Sequence, residues 1–327
     1  MRRMVWPAFI LAAVTLMTGC SLTKFNLFGQ KPEPLQEYVL QGTGKGKVLV
    51  LSIDGKISNK PDKNLLRTEP SMVQQVAAYL KHAEQDPEIK ALLIKVNSPG
   101  GTVTASDIIY HEISAYKQRT GVIVVVAMMG LAASGGYYIS LPADFIMAHP
   151  TTVTGSVGVI FLRPGISGLM EKVGVSMNVN KSGVDKDMGS PFRPPTKEET
   201  VLFQQLTDTM AARFKDLVAK HRHLKPEQLD QVATARVFLA EEAKSLGLVD
   251  QIGYLDDAVS KAKELANLGP DARVIAYHRH KVEDDTIYNP AIQRQGGDLE
   301  AVLPILAPLN AGGEADFYYV WPAAVGY

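Results

Sequence analysis

The sequence predicts an α/β fold built around a parallel sheet. Three runs rich in β-branched residues, at residues 48–53, 91–96 and 122–127, are apolar almost throughout, which is typical of strands buried on both faces. Apolar residues at helical spacing separate these runs, and strand, helix, strand is the unit that makes parallel sheets. With 46% hydrophobic residues in 327, the chain can fill one large core or two small ones.

The first half of this pattern alternates regularly. Helices are predicted around residues 72–80 and 108–116, where apolar side chains recur every three or four positions. A shorter strand is predicted at residues 145–148. The sequence therefore predicts four strands of one sheet before residue 150.

The second half is predicted to be mostly helical. Thr196 and Glu199 form a capping-box pattern, which predicts a helix running to about His221, and Pro226 forces a restart. Further helices are predicted at residues 240–246 and 255–268, each followed by glycine. Beyond Ala276 the pattern decays. We therefore expect one domain at residues 47–270 and a partly flexible C-terminal extension at residues 271–327, whose aromatic end could still dock on the domain.

The amino-terminal residues predict export. Arg2 and Arg3 precede an apolar stretch of about 14 residues, which is shorter than the roughly 20 residues of a membrane-spanning helix. We interpret residues 1–19 as a signal peptide of the lipoprotein type. Cys20, the only cysteine, follows Gly19 as in bacterial lipoproteins, and we expect it to be lipidated. An incidental cysteine in an ordinary signal peptide and an uncleaved signal anchor remain open alternatives.

Residues 20–46 are mainly polar and predict a flexible tether between lipid and domain. Ser21 stands where an aspartate would suggest retention at the inner membrane, which favours the periplasmic side of a bacterial outer membrane. The 34 basic and 34 acidic residues balance, so no nucleic-acid partner is predicted. The single cysteine also excludes an intramolecular disulfide and a cysteine metal site.

Two glycine-rich segments predict a nucleophile and an oxyanion hole. Gly100 and Gly101 directly follow a predicted buried strand, where backbone N–H groups can turn toward a ligand. Ser134 follows the strongest predicted strand, and Gly135 comes next, at the expected start of a helix that would favour a developing alkoxide. Each segment alone is also compatible with a plain turn between a strand and a helix.

Lys186 is the candidate base for Ser134, because lysine in place of histidine can activate a serine nucleophile. A lysine that acts as base near neutral pH must have its pKa lowered from about 10.4 toward about 7 to 8 by burial. Asp185 and Asp187 flank it and must point away for this to happen. His149 is the alternative base.

Other enzyme classes find little support in the sequence. His111 and Glu112 lack the second histidine of a zinc-protease motif, and the glycine patterns of nucleotide-binding loops do not occur. We therefore expect neither a metal nor a cofactor.

Taken together, the motifs resemble the signal peptide peptidase A family of serine-lysine endopeptidases. The resemblance covers about residues 47–268 in order and rests on residues 94–101, 132–138, 154–159, 181–187, 190–193, 235–238 and 243–250. It implies a fold like that of Clp protease and crotonase, with repeated ββα units, a C-terminal helical part, and a ring-shaped homo-oligomer around a cavity. One set of motifs is present, as in the short, single-domain form of the family.

The resemblance also implies roles for individual residues. Ser134 would be the nucleophile, Lys186 the general base and Ser156 the residue that orients the lysine amine. Backbone N–H groups around Gly100, Gly101 and Gly135 would hold the oxyanion. Serine and lysine come from different loops and, in this family, can meet across a subunit boundary.

The substrates implied are signal-peptide remnants or other exposed or unfolded peptide segments at the membrane of the cell envelope. Two rival hypotheses remain: a crotonase-like enzyme that holds a thioester enolate, and a lipoprotein scaffold that has lost turnover.

Overall fold

The computed structural model describes residues 34–63, 68–289 and 316–324. Its strands are β1 (Gln36–Gln41), β2 (Gly44–Asp54), β3 (Asp62–Lys63), β4 (Thr68–Glu69), β5 (Ile89–Ser98), β6 (Gly100–Thr102), β7 (Ile123–Ala133), β8 (Phe145–Ala148), β9 (Val153–Gly155), β10 (Ile160–Leu162), β11 (Val237–Leu239), β12 (Gln251–Ile252), β13 (Ala272–His278) and β14 (Asp316–Val320). Its helices are α1 (Met72–Ala83), α2 (Val103–Thr120), α3 (Gly135–Tyr138), α4 (Ser167–Val173), α5 (Lys197–Arg222), α6 (Pro226–Val232), α7 (Ala240–Ser245) and α8 (Leu255–Leu265).

The central element is a sheet that has nine strands within the described residues. Seven of them run in the order β1-β13-β2-β5-β7-β8-β12, and β9 continues from the end of β7 to β11. From β13 to β12 the neighbours are parallel, whereas β1 pairs antiparallel with β13. The predicted α/β class with a parallel sheet is therefore confirmed.

Alternate residues of the central strands face two separate cores. On β2, Leu49 and Leu51 point into a large core with α1 and α2, while Val48 and Val50 point into a smaller core with α8. This alternation follows from the period of two in a strand. Because both faces are covered, the central strands must be apolar throughout, which is the pattern that made them recognisable in the sequence.

The predicted helix starts and stops are largely confirmed. α5 begins with the capping box, in which Thr196 Oγ1 accepts from Glu199 N at 3.1 Å and Glu199 Oε2 accepts from Thr196 N at 3.1 Å. It ends at Arg222, and α6 restarts at Pro226. α8 ends at Leu265, three residues before the predicted end at Leu268, and Ala266 is its C-cap. Among the described residues, no helix combines the length and the apolarity that a membrane crossing requires.

The sheet extends beyond both predicted borders of the domain. β1 lies within the predicted tether of residues 20–46, and β13 lies within the predicted extension of residues 271–327. Half of β1 is exposed at the sheet edge, so it lacks the apolar run of a central strand. The tether prediction is thus wrong for its last part, and the extension begins with a strand of the main sheet. The predicted signal peptide and Cys20 lie outside the described residues.

A second sheet has three described strands in the order β10-β14-β6. Its middle strand, β14, is the predicted aromatic end of the chain. It pairs antiparallel with both neighbours. The expectation that this end docks on the domain is confirmed.

Candidate active site

Ser134 stands at the sharp turn between β7 and α3. Its backbone has φ 53° and ψ −113°, a conformation that side-chain-bearing residues rarely adopt and that is found where function demands it. The N–H of Ser134 donates to Gly155 O at 2.8 Å, and Ser134 O accepts from Tyr138 N at 2.8 Å. The turn is therefore held on both sides. The predicted helix after Ser134 is a single turn.

The hydroxyl of Ser134 is buried and unpartnered. The residue is 1% exposed, and Oγ has no hydrogen-bond partner among the described residues. Buried hydroxyls almost always find a partner, so an exception requires an explanation, and a nucleophile awaiting its base and substrate is one.

The predicted oxyanion glycines lie beside this serine. A Cβ placed on Gly100 would come within 2.6 Å of Gly135 N, and Gly100 has φ +97°. A Cβ on Gly135 would in turn come within 3.0 Å of Gly100 Cα. Gly101 continues into β6 and touches Ile57. The two predicted segments are thus brought together, and glycine is required at Gly100 by both its conformation and its neighbours.

Ser156 is adjacent to Ser134 through strand register. β9 pairs in parallel with the end of β7, so that Gly155 lies opposite Ala133, and each serine directly follows the last residue of its strand. Ser156 also has a positive φ of 52° and is 7% exposed. Its N–H donates to Arg236 O at 2.8 Å. The strand register therefore brings Ser156 next to Ser134, while its predicted role of orienting the lysine amine stays a prediction.

Lys186 is on the surface of the single chain, whereas Ser134 is buried. The lysine stands in a turn in which Lys186 N donates to Gly183 O at 3.1 Å. Since Ser134 Oγ has no partner among the described residues, Lys186 is not hydrogen-bonded to it in the single chain. The structure brings together Ser134, the glycines and Ser156, but not the lysine.

One of the two acidic neighbours of Lys186 is committed to other cations. Asp187 pairs with Lys181 at 2.9 Å and with Arg193 at 2.9 Å, and these cations, Arg193 first, hold the pKa of its carboxyl well below the usual range. Arg193 also pairs with Glu199 at the start of α5. Sequence reasoning missed this network, although Arg193 and Glu199 both stand in segments that it singled out.

A different lysine meets the requirement of burial. Lys95, on β5, is 7% exposed, and burial lowers its pKa to about 8. Its amine donates to Ile287 O at 2.9 Å and Asn289 O at 2.7 Å. These two hydrogen bonds attach the residues after β13 to the sheet, which is a structural role. Lys95 makes no hydrogen bond to Ser134 Oγ.

His149, the alternative base, also contacts residues other than Ser134. His149 Nδ1 lies 2.9 Å from Thr151 Oγ1, and its ring stands edge-on to Tyr254 with centroids 5.1 Å apart. Like the lysines, it makes no hydrogen bond to Ser134 Oγ.

Comparison with known proteins identifies the family. The family model for peptidase family S49 matches residues 116–269, and that for Clp protease matches residues 67–152. The chain is 36% identical over 266 residues to a putative signal peptide peptidase SppA of Enterococcus faecium, covering 81% of this chain and 76% of the relative. The Clp protease match confirms the predicted fold class.

Two further proteins are similar over different shares of their length. Protease 4 of Salmonella typhi is 38% identical over 231 residues, which are 70% of this chain but 36% of the relative. The solved structure of a membrane-bound stomatin-specific protease superposes with a TM-score of 0.43 at 21% identity, over 67% of this chain and 86% of that one. The extent of the match to the Enterococcus faecium relative decides the assignment: the chain belongs to peptidase family S49, the signal peptide peptidase A family of serine endopeptidases.

Proposed function

We propose that the chain cuts peptide bonds by acyl transfer through a Ser134–Lys186 dyad, and that the lysine reaches the serine of a neighbouring subunit. The observation that carries the proposal is Ser134 itself: it is strained, buried and unpartnered, and it lies beside Gly100 and Gly135. A thioester-binding pocket needs no such serine, and a scaffold has no use for its strain.

The surroundings of Lys186 support a partner subunit. We define the lysine segment as residues 166–193. Its apolar side chains are unusually exposed, among them Leu169 and Val173 at 63% and Val184 at 78%. Contiguous exposed apolar surface on a soluble domain marks an interaction site. A second copy of the chain covering this segment would remove the Lys186 amine from water and present it to an unpartnered Ser134.

In the proposed reaction, Ser134 Oγ attacks the carbonyl carbon of the substrate and its proton passes to the amine of Lys186. The oxyanion is held by backbone N–H groups around Gly100, Gly101 and Gly135. The C–N bond breaks, and the leaving amine takes the proton from the lysine. Water then attacks the carbonyl carbon of the acyl-enzyme and gives a proton to Lys186. The bond between that carbon and Ser134 Oγ breaks, Oγ takes the proton back from Lys186, and the acid product leaves. Ser156 orients the amine.

We further propose that the substrates are signal-peptide remnants or other exposed segments in the bacterial cell envelope, with the enzyme as a ring-shaped homo-oligomer on the periplasmic side. Cys20 would carry the lipid anchor, preferentially in the outer membrane. Incorporation of labelled palmitate into the wild type but not into Cys20→Ser tests the anchor. Labelling of both variants would exclude Cys20 as the attachment site.

Mixed oligomers test the dyad and its location. Ser134→Ala and Lys186→Met should each abolish peptide hydrolysis, whereas Lys172→Met, an exposed lysine of the same segment, should not. Co-assembled Ser134→Ala and Lys186→Met subunits should recover activity, because one type supplies the serine and the other the lysine. Full activity of pure Lys186→Met would refute the base, and no recovery on mixing would place the dyad within one chain.

A serine-reactive fluorophosphonate separates this enzyme class from its rivals. It should label the wild type and leave Ser134→Ala unlabelled. Hydrolysis of a thioester without labelling would favour the crotonase-like alternative. Absence of both labelling and hydrolysis would favour the scaffold.

A further inference from the structure

Ser98, the last residue of β5, joins two turns next to the candidate site. The residue is fully buried, with 0% of its surface exposed. Ser98 Oγ donates to Gly55 O at 2.7 Å and accepts from Gly100 N at 3.1 Å. A serine hydroxyl has one proton to donate, so the bond to Gly55 leaves a lone pair of the oxygen for Gly100. Ser98 therefore connects the turn after β2 with residues 99–101, which we call the oxyanion turn.

The oxyanion turn is also held by Ile57. Ile57 N donates to Gly100 O at 2.9 Å, and Ile57 O accepts from Thr102 N at 3.1 Å. The peptide bond between Gly100 and Gly101 is trans, and in a trans peptide the C=O and the N–H point in opposite directions. Because Gly100 O points at Ile57, the N–H of Gly101 points to the opposite edge of β6.

These hydrogen bonds matter because the oxyanion turn cannot hold its shape by itself. Gly100 has φ +97°, and neither Gly100 nor Gly101 has a Cβ that would restrict the rotation of its peptide groups. An oxyanion donor must lie about 2.7 to 3.1 Å from the place where the charge develops. The orientation must therefore come from neighbours, and Ser98 binds the N–H of Gly100 while Ile57 binds its C=O.

The turn that carries the nucleophile packs on the same serine. Ser98 lies opposite Ala132 of β7 in the strand register. A Cβ placed on Gly136 would come within 2.7 Å of Ser98 O and 3.4 Å of Ser98 Cβ. Gly135, the second predicted oxyanion donor, stands between Ser134 and Gly136. Both segments of the predicted oxyanion hole thus contact Ser98 or its immediate neighbours.

We propose that Ser98 is a positioning residue of the oxyanion hole: by holding Gly100 it aims the N–H of Gly101, together with that of Gly135, at the carbonyl oxygen of the bond to be cut. This inference rests on the proposed function. Ser98 makes no hydrogen bond to Ser134 Oγ, so it acts through the backbone alone. Its effect should therefore be felt in the transition state, where the carbonyl oxygen gains its charge.

Ser98→Ala tests this role in the assembled full-length enzyme. The variant leaves the buried N–H of Gly100 without its acceptor, so the oxyanion turn is no longer held in one orientation. We expect kcat to fall by about ten- to a hundredfold and KM to change by less than about threefold. An unchanged kcat in a folded Ser98→Ala enzyme would overturn the proposal.

Ser140→Ala is the matched control. Ser140 is equally buried, and its hydroxyl donates to a carbonyl of α3, Gly136 O, at 2.8 Å rather than to the oxyanion turn. We expect its kcat to stay within about twofold of the wild type, although the urea midpoint of unfolding falls as in Ser98→Ala. Equal losses of kcat in the two variants would mean that any buried serine of this region has the same effect, and the assignment to Ser98 would fail.

A peptide aldehyde separates positioning from a general loosening of the site. Ser134 Oγ adds to the aldehyde carbon, its proton passes to Lys186, and the aldehyde oxygen becomes the charged oxygen of a hemiacetal. Ser98→Ala should weaken aldehyde binding by about the same factor as kcat. An intact peptide substrate should bind equally to Ser134→Ala with and without Ser98→Ala. Equal weakening of aldehyde and peptide would show a merely structural role and would overturn the proposal.

Ser98→Cys provides the answer if Ser98→Ala fails to fold. The thiol has a similar shape and accepts hydrogen bonds only weakly, so kcat should fall by about three- to tenfold at constant KM. A wild-type kcat would contradict the proposal. Fluorophosphonate labelling of the wild type keeps the two proposals apart: a labelled wild type whose Ser98 variants keep full kcat refutes only the role of Ser98, whereas an unlabelled wild type refutes the proposed function.

Discussion

The two halves of the proposed catalytic machinery, the surroundings of Ser134 and the lysine segment, differ sharply in how the single chain builds them. Around Ser134, strand ends and glycines are packed so tightly that the serine is 1% exposed. The lysine segment, in contrast, leaves Val184 78% exposed and presents Lys186 to solvent. One event, the contact of a second copy with the lysine segment, would account for both the unpartnered hydroxyl and the uncovered apolar side chains. The difference supports the proposal that folding alone builds the nucleophile, whereas assembly with a second copy delivers the base.

The largest expected effect comes from replacing a glycine beside Ser134 with alanine, compared with the same replacement in the lysine segment. Gly100→Ala should inactivate the enzyme and lower the free energy of unfolding by roughly 2 to 5 kcal/mol, because its Cβ would clash with Tyr319 O and Gly135 N in a left-handed conformation. Gly183→Ala, in the lysine segment, meets nothing within 4 Å and should change stability by less than about 0.5 kcal/mol. Urea unfolding and peptide hydrolysis measure both.

Gly183→Ala is the control for Gly100→Ala, because both variants add one methyl group to a glycine. If Gly183→Ala were as damaging as Gly100→Ala, the lysine segment would be as tightly built as the nucleophile side. The contrast between the halves would then fail.

A smaller effect is expected where the lysine segment is fastened to α5. Arg193→Met should leave Asp187 and Glu199 without their shared cation and lower the urea midpoint of unfolding. Because the turn of Lys186 would lose its anchor, hydrolysis should fall by roughly ten- to a hundredfold. Steady-state kinetics at saturating substrate would show the loss in kcat.

Arg119→Met provides the matched comparison. Arg119 also pairs with a glutamate, Glu84, but far from the site and with both side chains at least one third exposed. We expect Arg119→Met to lower the urea midpoint less than Arg193→Met does and to leave hydrolysis unchanged. Equal kinetics for Arg193→Met and Arg119→Met would show that the lysine segment needs no fastening.

The same contrast explains what the sequence could predict. The buried strands and the capping box of α5 were predictable because a core on both faces demands apolar runs, and a helix start demands an oxygen acceptor. The conjunction of Ser134 with Gly100 was predictable because the ends of neighbouring parallel strands meet at one edge. Each of these signals is local in the chain.

What escaped prediction depends on distant partners. β9 and β10 have three residues each, too few to show a period, and β14 finds its place only between two strands far earlier in the chain. Arg193 carries no sign in the sequence of the carboxylates that it joins. The meeting of Ser134 with Lys186 stays a prediction, since it depends on a surface of the lysine segment rather than on a pattern.

The smallest expected effect is a dependence of stability on pH. Arg193, first, and the Thr196 N–H keep the pKa of Glu199 below its ordinary value although the side chain is only 4% exposed. A carboxyl with a lowered pKa in the folded state stabilises above its unfolded pKa of about 4.3, and this contribution is lost as pH falls through the folded value. Glu199→Gln should therefore be less stable than the wild type near neutral pH, and the gap should narrow on acidification.

Glutamine is the informative replacement because it retains the capping box while removing the charge. Urea midpoints of both proteins, measured at about pH 7 and stepwise down to about pH 3.5, would follow the gap as the carboxyl titrates. A gap of constant size would mean that the charge of Glu199 contributes nothing and that only its hydrogen bonds matter. The same comparison can be repeated with Arg193→Met introduced into both proteins. If the difference in urea midpoint closes on acidification between wild type and Glu199→Gln but is absent in the Arg193→Met background, the charge of Glu199 acts through Arg193 and thereby holds the lysine segment.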